Sequence, residues 1–235
     1  MKILSIIPAR KGSKDIKNKN LVKFKGKPLI FHSIRVSKKI KSITTFVSTD
    51  SKKILQYAKK KGIQFNYLRP KFLAKDKSNV IDAVFHALKW FKERKVNFDA
   101  ILLLQPTSPL RTSEDILAAL KIAQHEDVTS VIGVCEVVDS HPQKLKTISG
   151  NRLKSYVGQT FQQVRSQDLS PTVYRTNGAI YLTRRDIIME RQEFYGEQPA
   201  PLIMPPDRSI DIDTEFDFYM ASQIMARKFE GKPTC

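Results

Sequence analysis

Ala100-Ile101-Leu102-Leu103-Leu104-Gln105-Pro106-Thr107-Ser108-Pro109-Leu110-Arg111 is the stretch on which the reading of this chain turns. An unbroken apolar run from Ala100 to Leu104 describes a strand buried on both faces, as in a parallel sheet covered by helices. It stops at Gln105, and Pro106 and Pro109 stiffen the turn that follows. In open α/β sheets ligands bind beyond the carboxyl ends of the strands. The Gln105 amide and the hydroxyls of Thr107 and Ser108 are therefore held where a ligand would lie, although both hydroxyl residues also suit a plain turn.

Working outward from this strand, apolar strand runs alternate with helical patterns. Lys2 to Ile7 and Thr44 to Thr49 read as strands, Phe65 to Leu68 as a short one, and Thr129 to Val134 and Ala179 to Leu182 as later ones. Helices are predicted over Pro28 to Lys39, Ser51 to Lys61 with Gly62 as its stop, Ser78 to Lys95, and Ser113 to Gln124 with Ser113 as cap. Ile210 to Ala226 opens as a loop and closes as a helix. The alternation lapses from about 138 to 174, which marks an inserted excursion. The sum is one α/β domain over 1–235, a three-layer sandwich with a mainly parallel, Rossmann-like sheet.

With 235 residues, 41% of them hydrophobic, the chain can bury a substantial core. No apolar run reaches the roughly 18 to 20 residues of a membrane span, so no membrane partner is expected. The first strand meets Pro8-Ala9-Arg10 too early to be a signal-peptide core, and a cytoplasmic location is expected. Cys135, in an apolar run, reads as a buried thiol, and with Cys235 it makes neither a disulfide framework nor a metal-ligand spacing. The net charge of +18 calls for polyanionic partners, nucleic acid or a nucleoside triphosphate. Much of the excess sits in solvated helical positions, Lys38 to Lys41 and Lys59 to Lys61, without interleaved aromatics. No nucleic-acid partner is expected from it.

Two further stretches carry chemistry. The first strand empties into Pro8-Ala9-Arg10-Lys11-Gly12-Ser13-Lys14 and then Lys17-Asn18-Lys19-Asn20-Leu21. A glycine that admits close approach, amides that can face phosphate oxygens, and the cations Arg10, Lys14 and Lys19 suit a polyphosphate. The spacing matches neither the P-loop nor the dinucleotide fingerprint. Near the other end, Ser209-Ile210-Asp211-Ile212-Asp213-Thr214-Glu215 puts two carboxylates at i and i+2, on one side of an extended backbone. Such a pair suits Mg²⁺, which takes few protein carboxylates and fills its shell from phosphates and water. Helix capping accounts for Asp213 alone but not for both. His32, His86, His125 and His141 show no triad pattern, and no general base stands out.

Ile7-Pro8-Ala9-Arg10, Gly12-Ser13-Lys14 and Lys19-Asn20-Leu21 resemble the N-terminal signature of the CMP-sialic acid synthetases, the acylneuraminate cytidylyltransferases. Leu104 to Arg111, Arg175-Thr176-Asn177-Gly178-Ala179-Ile180-Tyr181 and Ser209 to Glu215 extend the likeness over nearly the whole chain. The resemblance implies a nucleotidyltransferase-type fold whose excursion is a dimerisation subdomain, and hence a homodimer. It implies a Mg²⁺-dependent cytidylyltransferase that joins CMP from CTP to a nonulosonic acid (sialic, legionaminic or pseudaminic), an acidic nine-carbon sugar, releasing pyrophosphate. It assigns Arg10, Ser13, Lys14, Lys19, Asn20 and Arg69 to the nucleotide, and Gln105, Lys144, Arg165, Gln167, Arg175 and Tyr181 to the sugar. Asp211 and Asp213 are the implied metal ligands, with Arg10, Lys19 and Asp211 in the catalytic role. Tyr181 fits the core equally well, and Arg69 before Pro70 also fits a surface position.

The pattern breaks in places. Asp15 stands where the family has glycine, a carboxylate that must turn away from a triphosphate. Asp76-Lys77-Ser78-Asn79 keeps a family serine motif only in part, and Ile148 to Gln163 aligns poorly. The rival readings are a cytidylyltransferase for the eight-carbon acid sugar Kdo and, in another class, a basic nucleic-acid-binding module.

Overall fold

The computed structural model describes residues 1–12, 15–158 and 165–229; Ser13, Lys14 and Cys235 lie outside them. The elements run β1 (Ile3–Pro8), β2 (Lys23–Phe24), β3 (Lys27–Pro28), α1 (Leu29–Lys38), β4 (Ile43–Ser48), α2 (Lys52–Lys60), α3 (Val80–Lys92) and β5 (Ala100–Leu103). They continue through α4 (Ser113–Ile122), β6 (Ser130–Glu136), β7 (Lys146–Ser149), β8 (Arg152–Ser155), β9 (Tyr174–Arg184), α5 (Arg185–Arg191), β10 (Pro199–Ile203) and α6 (Glu215–Phe229).

Among the described residues the main sheet has six strands in the order β10-β6-β9-β5-β1-β4. β1 runs parallel to β4 and β5, and β6 parallel to β10, while β9 is antiparallel to both its neighbours. The expected mainly parallel α/β sandwich is what forms, with one reversed strand in mid-sheet. The unbroken run in β5 does bury both faces. Leu102 and Leu104 join Ile7, Ile30, Ile34, Ile116 and Ile180 on one side, while Ile101 and Leu103 join Leu4, Ile6, Val84, Phe91 and Ile188 on the other. Each such side chain removed from water contributes about 1.5–3 kcal/mol before its entropy cost.

Two local expectations are corrected, and one alternative is set aside. Phe65 to Leu68 forms no strand: its aromatics pack inward, with Phe46 centred 4.9 Å from Tyr67 and 5.7 Å from Phe65, and β4 remains the sheet edge. The cap of α4 is Thr112, not Ser113; the Thr112 hydroxyl accepts from the Asp115 amide, and Asp115 accepts in return from the Thr112 amide at 2.8 Å. Asp213 does not cap α6 either. Thr214 accepts from the Asp217 amide at 3.2 Å, and the Asp217 carboxylate receives the Thr214 and Asp213 amides. This leaves the Asp213 carboxylate free of that duty. Cys135 is buried, as expected, and among the described residues no helix is long and apolar enough to cross a membrane.

The excursion carries the β7–β8 hairpin, whose Ile148 and Leu153 are 78% and 57% exposed. Its base is closed by the Val137 amide donating to the Val173 carbonyl and by buried His141 donating to the Pro171 carbonyl at 3.0 Å. A third apolar cluster joins the two ends of the chain: Phe24 and Leu29 pack with Leu110, Ile212, and Ala221 and Met225 of α6. Ile212 is fully buried there. Anchoring the residue between the two aspartates fixes both on the opposite side of the extended segment.

Candidate active site

The loop after β1 is laced to its neighbours through its backbone. The Ala9 amide donates to the Ser48 carbonyl, and the Lys11 amide donates to Asp50 Oδ1 at 2.7 Å. Asn20 Nδ2 donates to the Arg10 carbonyl at 2.9 Å, so its side chain braces the loop. Arg10 pairs with Asp76, a partner the sequence reading did not single out; a lone carboxylate among the lysines around it was the only signal. Gly12 lines the cleft, and nothing lies within 4 Å of where a Cβ would project. Asp15 is exposed.

These residues border a cleft of about 310 Å³ beyond the carboxyl ends of β1 and β5. Arg10, Gly12, Lys19 and Asn20 line one side, Gln105 to Thr107 another, and Arg69 lies against it. Arg69 is 5% exposed, and its Nε and one terminal nitrogen have no protein partner. Burial lowers its pKa, a shift opposed by Asp50. A buried guanidinium with idle donors facing a cleft is prepared for a planar acceptor. Ser78 also lines the cleft, but its hydroxyl is engaged with the Phe72 carbonyl, and Asn79 caps α3.

The ends of the chain meet at this cleft. Lys19 Nζ donates to the Ile212 carbonyl at 2.9 Å and to Asp213 Oδ1 at 3.1 Å. The Ile212 amide donates to the Thr107 carbonyl at 2.8 Å, stitching the aspartate segment to the turn after β5. Asp211 is largely buried, and its Oδ1 has no partner. Burial pushes its carboxyl above the usual range, Asp213 adds to the rise, and Thr107, Lys19 and Arg111 pull the other way. Gly178, at φ +69°, makes room: a Cβ there would lie 2.7 Å from Asp211 Oδ2. A second, wider cavity of about 960 Å³ opens on the far side, lined by Arg175, Thr176, Asp211 and the α6 face. Asp213 borders both cavities.

An orphaned buried carboxylate oxygen beside a second carboxylate is a donor set suited to a hard divalent cation. Among the described residues no group of three or more His, Cys, Asp or Glu gathers as a self-sufficient metal cage. Two carboxylates alone fit an ion that takes its remaining ligands from phosphates and water.

The other expected residues are placed less uniformly. Arg175 donates to the Ser209 carbonyl at 3.0 Å and lines the wide cavity. Tyr181 packs against Phe194 and Tyr195 in mid-sheet and lines neither cavity. Lys144 sits half-buried in the turn Pro142–Lys144. Arg165 is ion-paired with Asp168 at 2.6 Å, and Gln167 is exposed nearby. Within one chain these last three do not reach the cleft. Ser13 and Lys14 fall outside the described residues. Arg111, in sequence only the end of the Gln105 motif, has a wholly buried guanidinium whose pKa is pulled down to about 9 by burial.

Comparison with known proteins shows the family of the chain. The sequence model of the cytidylyltransferase family matches residues 4–224. The chain is 36% identical over 229 residues to the CMP-N,N'-diacetyllegionaminic acid synthase of Legionella pneumophila, covering 96% of this chain and 97% of that one. It is 31% identical over 233 residues to the N-acylneuraminate cytidylyltransferase of Escherichia coli, where it spans 98% of itself and 54% of the relative. The structure of CMP:2-keto-3-deoxy-manno-octonic acid synthetase complexed with CTP shares the fold, at a TM-score of 0.70 and 18% identity, covering 97% of this chain and 100% of that one. The chain belongs to the cytidylyltransferase family, and it is a nucleotidyltransferase enzyme.

Proposed function

We propose that this protein transfers CMP from CTP to the anomeric hydroxyl of a nonulosonic acid, releasing pyrophosphate, with Mg²⁺ held by Asp211 and Asp213. The observation that carries the reading is the meeting of Lys19 with Ile212 and Asp213 at the rim of a cleft backed by Arg69 and Gln105. The names of the relatives at 36% and 31% identity support CTP and a nine-carbon acid sugar over Kdo.

In this mechanism Arg69 receives the base, its idle donors meeting the cytosine carbonyl and ring nitrogen. Arg10 and Lys19 offset charge on the phosphates, joined by Ser13 and Lys14. Gln105, in the cleft, and Arg175, in the wider cavity, orient the acceptor beside the carboxylate pair, so that its hydroxyl attacks the α-phosphorus in line with the departing pyrophosphate. Mg²⁺, which Asp211 and Asp213 would hold, would supply charge neutralisation and lower the pKa of the attacking hydroxyl. No covalent intermediate with the enzyme is needed.

Lys144, Arg165 and Gln167 serve an acid sugar in this reading from across a homodimer. Its support is the excursion's exposed apolar residues Ile148, Leu153 and Tyr156, a surface suited to a second copy. A reaction that consumes CTP suits the cytoplasm. The test is pyrophosphate release from CTP, with ATP and UTP as controls, against a panel of sialic, legionaminic, pseudaminic and Kdo acceptors. Turnover is expected with CTP and a nine-carbon acid, and a loss of several orders of magnitude in Asp211→Ala. Turnover of Kdo alone, or near-normal activity in the variant, would overturn the reading.

A further inference from the structure

Behind the carboxylate pair lies a set of charges of alternating sign, Asp211, Arg111, Asp115 and Arg208, of which Arg111 and Asp115 are buried and the other two partly so. Arg111 is 2% exposed and donates to three separate parts of the fold. One terminal nitrogen bonds the Ala179 carbonyl, next to Gly178 under Asp211; the other bonds Ser33 of α1 and the Gln105 carbonyl at 2.6 Å. Asp115, 6% exposed, accepts from Arg208 through both oxygens, at 3.0 and 3.2 Å. Arg208 stands just ahead of Ser209, whose hydroxyl accepts from buried Asn177 at 3.0 Å.

Buried ion pairs seldom add stability over an apolar filling of the same shape, because desolvation offsets the attraction. Here each charge ties together segments that carry chemistry and that share no regular element. Arg111 locks the Gln105 turn to the glycine that makes room for Asp211. The Arg208–Asp115 fork locks the backbone leading into Asp211 to the start of α4. The Arg69 end of the cleft has no part in either link.

We infer that Arg111, Asp115 and Arg208 are positioning residues that hold Asp211 and the Gln105 turn in register, and so set affinity for the metal and the acceptor but not for the nucleotide. This rests on the reading that Asp211 holds the metal. Arg208 is the practical handle, because its side chain is 30% exposed whereas Arg111 is buried.

The experiment measures Mn²⁺ binding by electron paramagnetic resonance in the presence of CTP, CTP binding without metal by calorimetry, and thermal unfolding. It compares wild type, Arg208→Met, Asp115→Asn, their double variant and Asp211→Ala. Arg208→Met is expected to bind CTP without metal within about twofold of wild type, yet Mn²⁺ about tenfold more weakly. The double variant is expected to lose no more than the worse single one, since both cut one link. If wild type binds Mn²⁺ no better than Asp211→Ala, the metal reading fails and this inference with it. If wild type binds better and Arg208→Met matches it, the inference alone is overturned. Parallel losses of metal-free CTP binding and Mn²⁺ binding mean general loosening and overturn it too. Should Arg208→Met not fold, Arg208→Lys, which keeps the charge but not the fork, is read by the same criteria.

Discussion

Gly178→Ala isolates the link between backbone geometry and the carboxylate pair. Two costs are readable at this position. The first is conformational: φ is +69°, and an L side chain in the left-handed region costs about 1–2 kcal/mol. In a chain of this size that is a fall of roughly 2–8 °C in Tm. The second is local: the new Cβ would lie 2.7 Å from Asp211 Oδ2 and 3.1 Å from its Cγ. Ordinary contact begins near 3.4 Å, so the carboxylate must retreat by roughly half an ångström or more, the tolerance within which catalytic groups work. A displacement approaching 1 Å at a reacting centre can cost about 10²-fold in rate. Gly26→Ala is the control. Its φ is +77° with nothing within 4 Å of the new methyl, so it carries the same strain without the collision. Pyrophosphate release and differential scanning calorimetry on both variants separate the two effects. Both should lose similar stability, and only Gly178→Ala should lose about 10–100-fold in kcat/KM. Wild-type kcat/KM in Gly178→Ala would refute the placement of Asp211 in the working site.

Arg69→Ala should raise the KM for CTP well above any change in the acceptor KM, because it empties the guanidinium with idle donors in the nucleotide cleft; initial-rate kinetics decide, and the opposite split removes Arg69 from the base pocket. Asp211→Asn should abolish turnover yet raise metal-free thermal stability at pH 7. The folded carboxyl titrates above its ordinary value of 3.8, so the charged form is penalised at neutral pH, and the gain should vanish below that value, where both states hold the proton. Melting curves from pH 3 to 8 check the sign, and a gain that grows on acidification contradicts it. Ile212→Ala should cost about 2–5 kcal/mol in denaturant unfolding, since the side chain is fully buried where the ends of the chain meet. A cost under about 0.5 kcal/mol, the level of a surface change, would contradict that packing.

Much of this protein is legible in one dimension. The continuous apolar run Ala100 to Leu104 implies a central strand, and it lies fourth among the six strands counted from β10. The alternation of strand and helix patterns implies the layers. The i, i+2 spacing of Asp211 and Asp213 implies a shared side, because side chains in extended backbone alternate strictly. These inferences succeed because they depend on short-range periodicity, which the order of residues contains in full.

What only the tertiary structure decided are relations between distant segments. That Thr214 rather than Asp213 caps α6, and Thr112 rather than Ser113 caps α4, depends on which neighbouring hydroxyl meets the correct amide. That Phe65 and Tyr67 pack inward without extending the sheet depends on Phe46 and Trp90 being there to receive them. Arg111 looks in sequence like the polar end of a turn. Its burial arises because α1, the Gln105 turn and β9 close around it. The contact of Lys19 with Asp213 joins the head of the chain to its tail, and no local pattern specifies it. The apolar cluster of Phe24, Leu110, Ile212 and Met225 does so, by burying the residue that separates two carboxylates and leaving Asp213 at the border of both cavities and Asp211 in the wider one.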